Sequence, residues 1–337
     1  SFTPANTLSE SRAIFQLVMS PNQNDKRNSA QVQLVVVHAD AQGQRVDNWL
    51  VKRLKRLPRS HLYKIIRDGQ VRVNGSRVRQ TYRVQEGDRV RIPPVRLEPV
   101  RNHADSAAFG PFTPAILHED ECLLILDKPA GIAVHGGTGI RAGLVEWLRR
   151  TRADCSFLEL AHRLDRATSG CLVMAKSVLA LRSLHSQFRT GEGIEKKYQA
   201  LLHGQWKGGS RSIDLRLRVG RTSGRGLRQS VPDEQGKAAL SHFRPLKRFT
   251  QHTLVEVTLA TGRMHQIRAH AAAIGYPVVG DRYYGDRAAD RLLRSADFQR
   301  MWLHASAITM QHPESAVPLD VRSHLPKALS KLLHVLD

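Results

Sequence analysis

Acidic residues are in short supply. The chain has 337 residues, and its 30 Asp and Glu stand against 52 Lys and Arg, a formal charge of +22. The surplus runs along the whole chain instead of gathering at one end. Such a surface favours a polyanion, because each phosphate it neutralises releases counterions and adds affinity. An anionic membrane would also suit the charge, but no long basic amphipathic helix with a bulky apolar face is present to lie on one. Nucleic acid is therefore the expected partner. Cysteine is scarce too. Cys122, Cys155 and Cys171 are odd in number, widely spaced and free of any C-x-x-C. That excludes a disulfide framework and a thiolate metal site, and it fits a reducing compartment. The 16 histidines form no H-E-x-x-H, and His265 and His270 are five apart, a poor match to one helical face. No metal and no cofactor is expected. No apolar run is long enough to span a bilayer, and no secretion signal opens the chain, so the expected location is the cytoplasm. No association helix is evident, which points to a monomer.

What is present is a globular composition, 41% hydrophobic, long enough for more than one domain. Residues 1–31 are polar and aperiodic and read as a flexible tail, with a possible short helix at 14-IFQLVM-19. Order begins at 32-VQLVVV-37, a buried-strand pattern. In 45-RVDNWLVKRLKRL-57, Val46, Trp49, Leu50, Leu54 and Leu57 share a helical face that Pro58 ends. Ser60 suits an N-cap for 61-HLYKIIRDG-69, which Gly69 closes. Asn74-Gly75 within 71-VRVNGSRV-78 is a hairpin signal, and 84-VQEGDRVRIP-93 reads as a turn and strand. The polar positions on the two helices are cationic: Lys52, Arg53, Lys55, Arg56, Arg59, Lys64 and Arg67. A charge run is ordinarily a solvated face, but here hardly any acids are interleaved, which favours phosphate contact. Pro93, Pro94, Pro99, Pro111 and Pro114 mark 94–113 as a linker. From 114 to 337 many short strands (LLIL, CLVMA, YQALLHG, TLVEVTLA) accompany two clear helices, 141-RAGLVEWLRR-150 and 178-VLALRSLHSQF-188. This pattern predicts a mixed, mostly antiparallel α+β fold.

Four further segments carry candidate chemistry. In 161-AHRLDRATSG-170 a single carboxylate, Asp165, stands between Arg163 and Arg166; alone, an Asp before Thr-Ser-Gly is a common turn residue. In 123-LLILDKPAGIAVHGG-137 a strand runs into Lys-Pro-x-Gly, for which a rigid turn at Pro129 is sufficient reason. In 195-EKKYQALLHG-204 Tyr198 enters a strand behind two lysines, where a Tyr is usually core. In 261-TGRMHQIRAHAAAIGYPVVGD-281 a Thr-Gly turn leads into a helix bearing Arg263, His265, Gln266 and Arg268, by itself an exposed cationic helix start.

Taken in order, K-P-x-G-x-x-x-H, H-R-L-D-R-x-T-S-G, K-K-Y, T-G-R-x-H-Q-I-R and 280-GDRYYG-285, followed by 303-LHA-305, resemble the RluA-type pseudouridine synthases. The segment at 32–93 resembles the S4 RNA-binding domain, most specifically in L-x-x-x-I-x-x-G-x-V-x-V-N-G. The strings 133-AVHGGTG-139, 157-FLELAHRLDR-166 and 179-LALRSLHSQFR-189 are most similar to the RluC branch, which modifies uridines of large-subunit ribosomal RNA. Ala167 departs from the Asp common at its position, and the glycine-richer 190-TGEGIEK-196 suggests a loop of some mobility before Tyr198.

The resemblance implies an S4-like domain followed by a mostly antiparallel mixed-sheet catalytic domain, with no cofactor. It implies isomerisation of uridine by breaking N1–C1′ and rejoining the uracil through C5. Asp165 would act at the ribose of a flipped-out uridine, by attack at C1′ or by taking the C2′ proton. Arg268 would hold that carboxylate ionised and oriented, Ile267 would pack beneath the uracil, and Tyr198 would lie against it. Arg163 would fill the space the base leaves, with His162 and Arg166 assisting, while Arg59, Lys64, Arg67 and Arg72 of the first domain would meet RNA. Large-subunit ribosomal RNA, free or in an assembling subunit, is then the expected partner. Two rivals remain at this level: a non-catalytic ribosomal RNA-binding or assembly factor, and an N-glycosidase that would have to release free uracil.

Overall fold

The computed structural model describes residues 31–54, 57, 59–95, 113–136, 143–152, 154–221, 228–293 and 298–336. The 1–30 tail with its 14–19 segment, Lys55, Arg56 and residues 96–112 of the linker lie outside these, as do the side chains of Arg59 and Ser60. The chain divides into two units, Ser1–Ala104 and Asp105–Asp337.

In the first unit, helices α1 (Val46–Arg53) and α2 (Arg59–Arg67) pack on a four-stranded antiparallel sheet. Its strands are β1 (Gln33–Val36), β2 (Arg72–Val73), β3 (Ser76–Arg77) and β4 (Arg89–Ile92), in the order β1-β4-β2-β3. Trp49, Leu50, Leu62, Ile65 and Ile66 form the core against Val71, Val73 and Val90, the face that the helical spacing predicted. The Asn74-Gly75 hairpin is present, with both residues at positive φ (50° and 81°), as a tight turn matching strand twist requires. Gly69, at φ 71°, ends α2 and donates its N–H to Ile66.

Four readings need correction. The 32–37 segment is not a buried strand: β1 is the edge of its sheet, and Leu34 is 65% exposed. Helix α1 stops at Arg53, before Pro58, and Ser60 lies inside α2 because the helix already begins at Arg59. Val95, assigned to the linker, is buried in this unit's core.

The second unit is built on a ten-stranded sheet. Its strands are β5 (Ala115–Glu119), β6 (Leu123–Lys128), β7 (Glu159–Leu160), β8 (Ser169–Ala175), β9 (Ile194–His203), β10 (Arg211–Asp214), β13 (Leu240–Arg248), β14 (His252–Leu259), β15 (Leu303–Gln311) and β16 (Pro318–Arg322). The order is β10-β13-β14-β9-β15-β8-β6-β5, with β16 on β15 and β7 on β8. Strands β11 (Leu217–Arg221) and β12 (Arg228–Pro232) form a separate ribbon. Pairing is antiparallel throughout the described strands except between β15 and β8. Successive β6 side chains point to opposite faces, as strand geometry demands: Leu124 and Leu126 join a core with Tyr198, Val257 and Ile267, while Leu123 and Ile125 join one with Val173 and Leu184.

Helices α3 (Leu144–Thr151) and α4 (Val178–Thr190) stand where the spacing placed them. Ser177 caps α4 by accepting the Ala180 N–H at 3.1 Å, and Gly191 at φ 79° closes it. Gly193, at φ 68°, then delivers the chain into β9 at Ile194, so residues 191–193 form a short exposed turn between α4 and β9. Helices α5 (Gln266–Ala273), α6 (Arg287–Leu292) and α7 (Lys327–Leu336) complete the unit.

Candidate active site

Asp165 lies in the loop between β7 and β8. Its carbonyl accepts the Thr168 N–H at 3.1 Å, and Thr168 and Ser169 are buried where the loop enters the sheet. Gly170 sits at φ +111°, and a Cβ there would fall 2.1 Å from the Ala305 carbonyl oxygen. Only glycine lets β8 come this close to β15, where Gly170 pairs with Ala305. The loop is anchored on its other side by Lys128, which is fully buried at the end of β6. Lys128 Nζ donates to the carbonyls of Pro129 (2.8 Å), Ile132 (3.0 Å) and Arg166 (3.4 Å). Burial pushes its pKa down to about 7 and Arg300 adds to this, while Asp165 and Asp127 oppose it. Arg166 turns back and donates through Nε to the Gly131 carbonyl at 2.8 Å. The Lys-Pro-x-Gly turn and the Asp165 loop thus form one laced unit.

Arg268 reaches Asp165 from α5. The helix starts one turn later than the sequence pattern predicts: Arg263 and His265 precede it, and His265 takes a left-handed conformation (φ 52°). A conformation costly for a non-glycine residue persists where its surroundings hold it. Here Gln266 does so. Its Oε1 accepts the Arg263 N–H (2.9 Å) and the Thr261 hydroxyl (2.7 Å), while Nε2 donates to the Leu240 carbonyl (3.0 Å). A segment that by itself reads as an exposed cationic helix start is instead interior, with Gln266, Ile267, Arg268 and His270 all buried. The reason is the partner of Arg268. Its Nη1 donates to Asp165 Oδ2 at 3.0 Å, while Nε and Nη2 form a bidentate pair with Asp281 at 2.7 and 2.8 Å. Burial alone would lower the guanidinium pKa. Hydrogen bonding and charge from Asp281, with the field of Asp165, outweigh burial and raise it, so Arg268 is fixed as a cation.

Asp165 opens into a cleft of about 780 Å³ that His162, Arg163, Tyr198, His265, Ile267 and Arg268 also line. Tyr198 projects from β9, whose neighbours are β14 and β15. Burial, then the charge of Asp165, pushes its phenol well above the ordinary range, so it is a neutral O–H group at physiological pH. His265 Nε2 stands 3.7 Å from Asp165 Oδ2. Its Nδ1 lies 3.1 Å from the Tyr284 hydroxyl, which accepts the Ser230 N–H at 2.7 Å.

Of the residues singled out from sequence, the fold gathers Asp165, Arg163, His162, Tyr198, Ile267 and Arg268 around this cleft. Arg163 is exposed there, whereas His162 is tied into the wall. Its Nε2 accepts the Val173 N–H at 3.0 Å, and its ring stacks on Phe188 with centroids 4.7 Å apart. Arg166 is exposed but bound to Gly131. Lys64, Arg67 and Arg72 are exposed on the first unit, and Lys64 pairs with Asp68 at 3.7 Å. Sequence reasoning gave no role to Asp281, Lys128, His265 or Tyr284. Each sits inside a quoted motif, which was the available signal.

Among the described residues, two groups of ligand-type side chains stand outside the cleft, Asp120 with Cys122 and His312, and Glu119 with Asp154 and Cys155. In the first, His312 Nδ1 accepts the Ser315 N–H at 3.1 Å, which leaves an Nε2 proton facing Asp120 Oδ2 at 3.2 Å. Cys122 donates to Glu314 at 2.9 Å, and that bond together with burial pushes the thiol up to about 11. In the second, Arg152 pairs with both carboxylates. Both are hydrogen-bonded networks, and no metal is assigned to either. No helix among the described residues is long and apolar enough to cross a membrane.

The chain as a whole has clear counterparts among known proteins. Residues 122–273 match the family model for RNA pseudouridylate synthase, and residues 44–90 match that for the S4 domain. The chain is 41% identical over 311 residues to ribosomal large subunit pseudouridine synthase C of Yersinia pestis, covering 91% of this chain and 97% of that one. Its identity to the protein of the same name from Escherichia coli (strain K12) is 41% over 320 residues, with coverage of 92% and 98%. Among solved structures, human RNA pseudouridylate synthase domain containing 4 aligns with a TM-score of 0.53 at 25% identity, over 66% of this chain and 92% of that one. The chain belongs to the RNA pseudouridine synthase family and carries an S4 domain ahead of the synthase fold.

Proposed function

We propose that this enzyme converts specific uridines of large-subunit ribosomal RNA to pseudouridine, with Asp165 as the group that acts at the ribose. The observation that carries the reading is the chain Asp165–Arg268–Asp281, which fixes one carboxylate in the cleft by a charge-assisted bond of 3.0 Å. Isomerisation needs no redox change and no group donor. The N1–C1′ bond breaks, the uracil turns within the site, C5 bonds to C1′, and the C5 proton leaves. Attack at C1′ and removal of the C2′ proton both require an oriented, ionised carboxylate, and both are served by the same geometry. Tyr198 offers the uracil a face to lie on and a neutral hydroxyl, and Ile267 forms apolar floor beside it. A stacked uridine is brought to the cleft by flipping, and exposed Arg163 is placed to take up the vacated position. In this reading Arg59, Lys64, Arg67 and Arg72 of the S4 domain meet phosphates of the ribosomal RNA, and the enzyme works in the cytoplasm.

The test is release of tritium from C5-labelled uridine in unmodified large-subunit ribosomal RNA, with wild type beside Asp165→Asn. C5 loses its hydrogen only when a bond to carbon forms there. The expected result is release by wild type alone, with RNA affinity retained in the variant. Release by the variant would remove Asp165 from the chemistry. Tight binding by both proteins without release would favour a non-catalytic ribosomal RNA-binding or assembly factor, and loss of uracil mass from the RNA would mark a glycosidase.

A further inference from the structure

Lys196 has no part in the site described so far. It lies on β9 two residues before Tyr198, and the strand's period of two turns both to the same side. Lys196 is 7% exposed and lines the cleft. Its ammonium, with three protons to donate, makes no hydrogen bond and no ion pair among the described residues; its Nζ stands over the Phe188 ring, 6.0 Å from the centroid. Burial lowers its pKa, and the cation Arg263 lowers it further. The rest of the wall offers no relief. Arg163, Arg189, Arg228 and Arg263 also line the cleft, and the one carboxylate among its described lining residues, Asp165, is already bound by Arg268.

Burying an unpaired charge is costly, and proteins ordinarily pair it or neutralise it. An ammonium kept this way at the wall of an open cleft is a seat waiting for an anion. We propose that Lys196 binds a backbone phosphate of the RNA beside the flipped nucleotide, completing its ion pair only when substrate is in the cleft. This rests on the RNA-modifying reading and adds a phosphate subsite to it. The spacing suits the ligand. Lys196 and Tyr198 stand one strand repeat apart, roughly 6.6–6.8 Å, so a nucleotide whose base lies on Tyr198 presents its phosphate to Lys196. The phosphate also meets the exposed Arg189 and Arg263 at the same rim.

The experiment compares wild type, Lys196→Met and Lys196→Arg on unmodified large-subunit ribosomal RNA. Affinity is measured across a series of KCl concentrations, together with turnover at saturating RNA and thermal unfolding of the RNA-free protein. Methionine keeps the length and removes the charge. The expected result is RNA binding weakened about tenfold or more at low salt, with the slope of log Kd against log salt reduced by about 0.7–0.9. Turnover at saturation should stay within a few-fold of wild type, and the melting temperature should stay level or rise, because an uncompensated buried charge has gone. Lys196→Arg should restore the slope. An unchanged salt slope would overturn the proposal, as would a fall in melting temperature at constant affinity, which would make Lys196 a structural group. Salt-dependent binding that Lys196→Met weakens, in a wild type that releases no tritium, would retain the phosphate seat and reject the isomerase reading.

Discussion

Asp281 never reaches the cleft, yet its removal should disable the site. Its side chain is fully buried, and it accepts both arms of the Arg268 fork at 2.7 and 2.8 Å as well as the N–H groups of Tyr283 (2.9 Å) and Tyr284 (3.2 Å). Asp281→Asn keeps the shape, removes the charge and aims an NH2 group at a guanidinium that cannot accept it. Breaking a buried pair by removing one partner costs about 3–5 kcal/mol. Asp165 still faces Arg268, which places the expected loss near the lower figure, about 3 kcal/mol. For a unit of this size that lowers the melting temperature by about 6–12 °C. Arg268 then loses its anchor, and the carboxylate it orients is misplaced; an error of about 1 Å suffices for a loss of about 100-fold in turnover. Calorimetry of the synthase-unit transition and single-turnover tritium release read the two effects. A double variant, Arg268→Met with Asp281→Asn, separates them. It should recover part of the stability, since no charge is left buried without a partner, and none of the turnover. An Asp281→Asn protein that melts within a degree of wild type and turns over normally would refute the reasoning.

Two further outcomes follow from the loop that carries Asp165. Gly170→Ala combines a disfavoured positive φ with a Cβ placed 2.1 Å from the Ala305 carbonyl oxygen; strain and overpacking together should cost about 2–6 kcal/mol, and urea unfolding that shows under 1 kcal/mol would contradict the close approach of β8 to β15. His162 is held neutral: burial, with Lys196 nearby, pushes its pKa down to about 3 from 6.5. The unfolded chain therefore binds more protons between those values, and stability is lost as pH falls through that window, with a slope approaching about 1.4 kcal/mol per pH unit for this one group. His162→Gln should flatten that part of the stability–pH curve, and an unchanged curve would mean that the ring protonates freely in the fold.

Elements with a strong period were legible in the sequence, and long-range pairings were not. Helix α4 and the Asn74-Gly75 hairpin follow from local patterns, because a cap, a left-handed glycine and an apolar stripe act within a few residues. Strand β13 was missed. Its burial pattern is mostly half-open, and its register with β14 shifts between Pro245 and Lys247, which breaks the alternation that marks a strand. The local pattern alone leaves Arg268 an exposed helix cation, because nothing near it in sequence neutralises it, and only the family resemblance pairs it with Asp165. Its partner Asp281 arrives from a turn where Gly280, at φ 72°, brings the chain so close to the Arg300 carbonyl that a Cβ would stand 2.1 Å away.

The two lysines before Tyr198 show the same limit at the smallest scale. Written out, K-K-Y is one motif with two equivalent cations. The strand divides them: Lys197 points with Glu195 and pairs with it at 2.8 Å, whereas Lys196 is turned to the side of Tyr198 and buried there. Exchanging which lysine is neutralised should therefore give unlike results. Lys197→Met removes a partly exposed pair of little energetic weight and should leave both salt slope and turnover near wild type. Lys196→Met should change the slope. Equal effects from the two substitutions would mean that total charge on this strand, and not its alternation, governs how the cleft holds RNA.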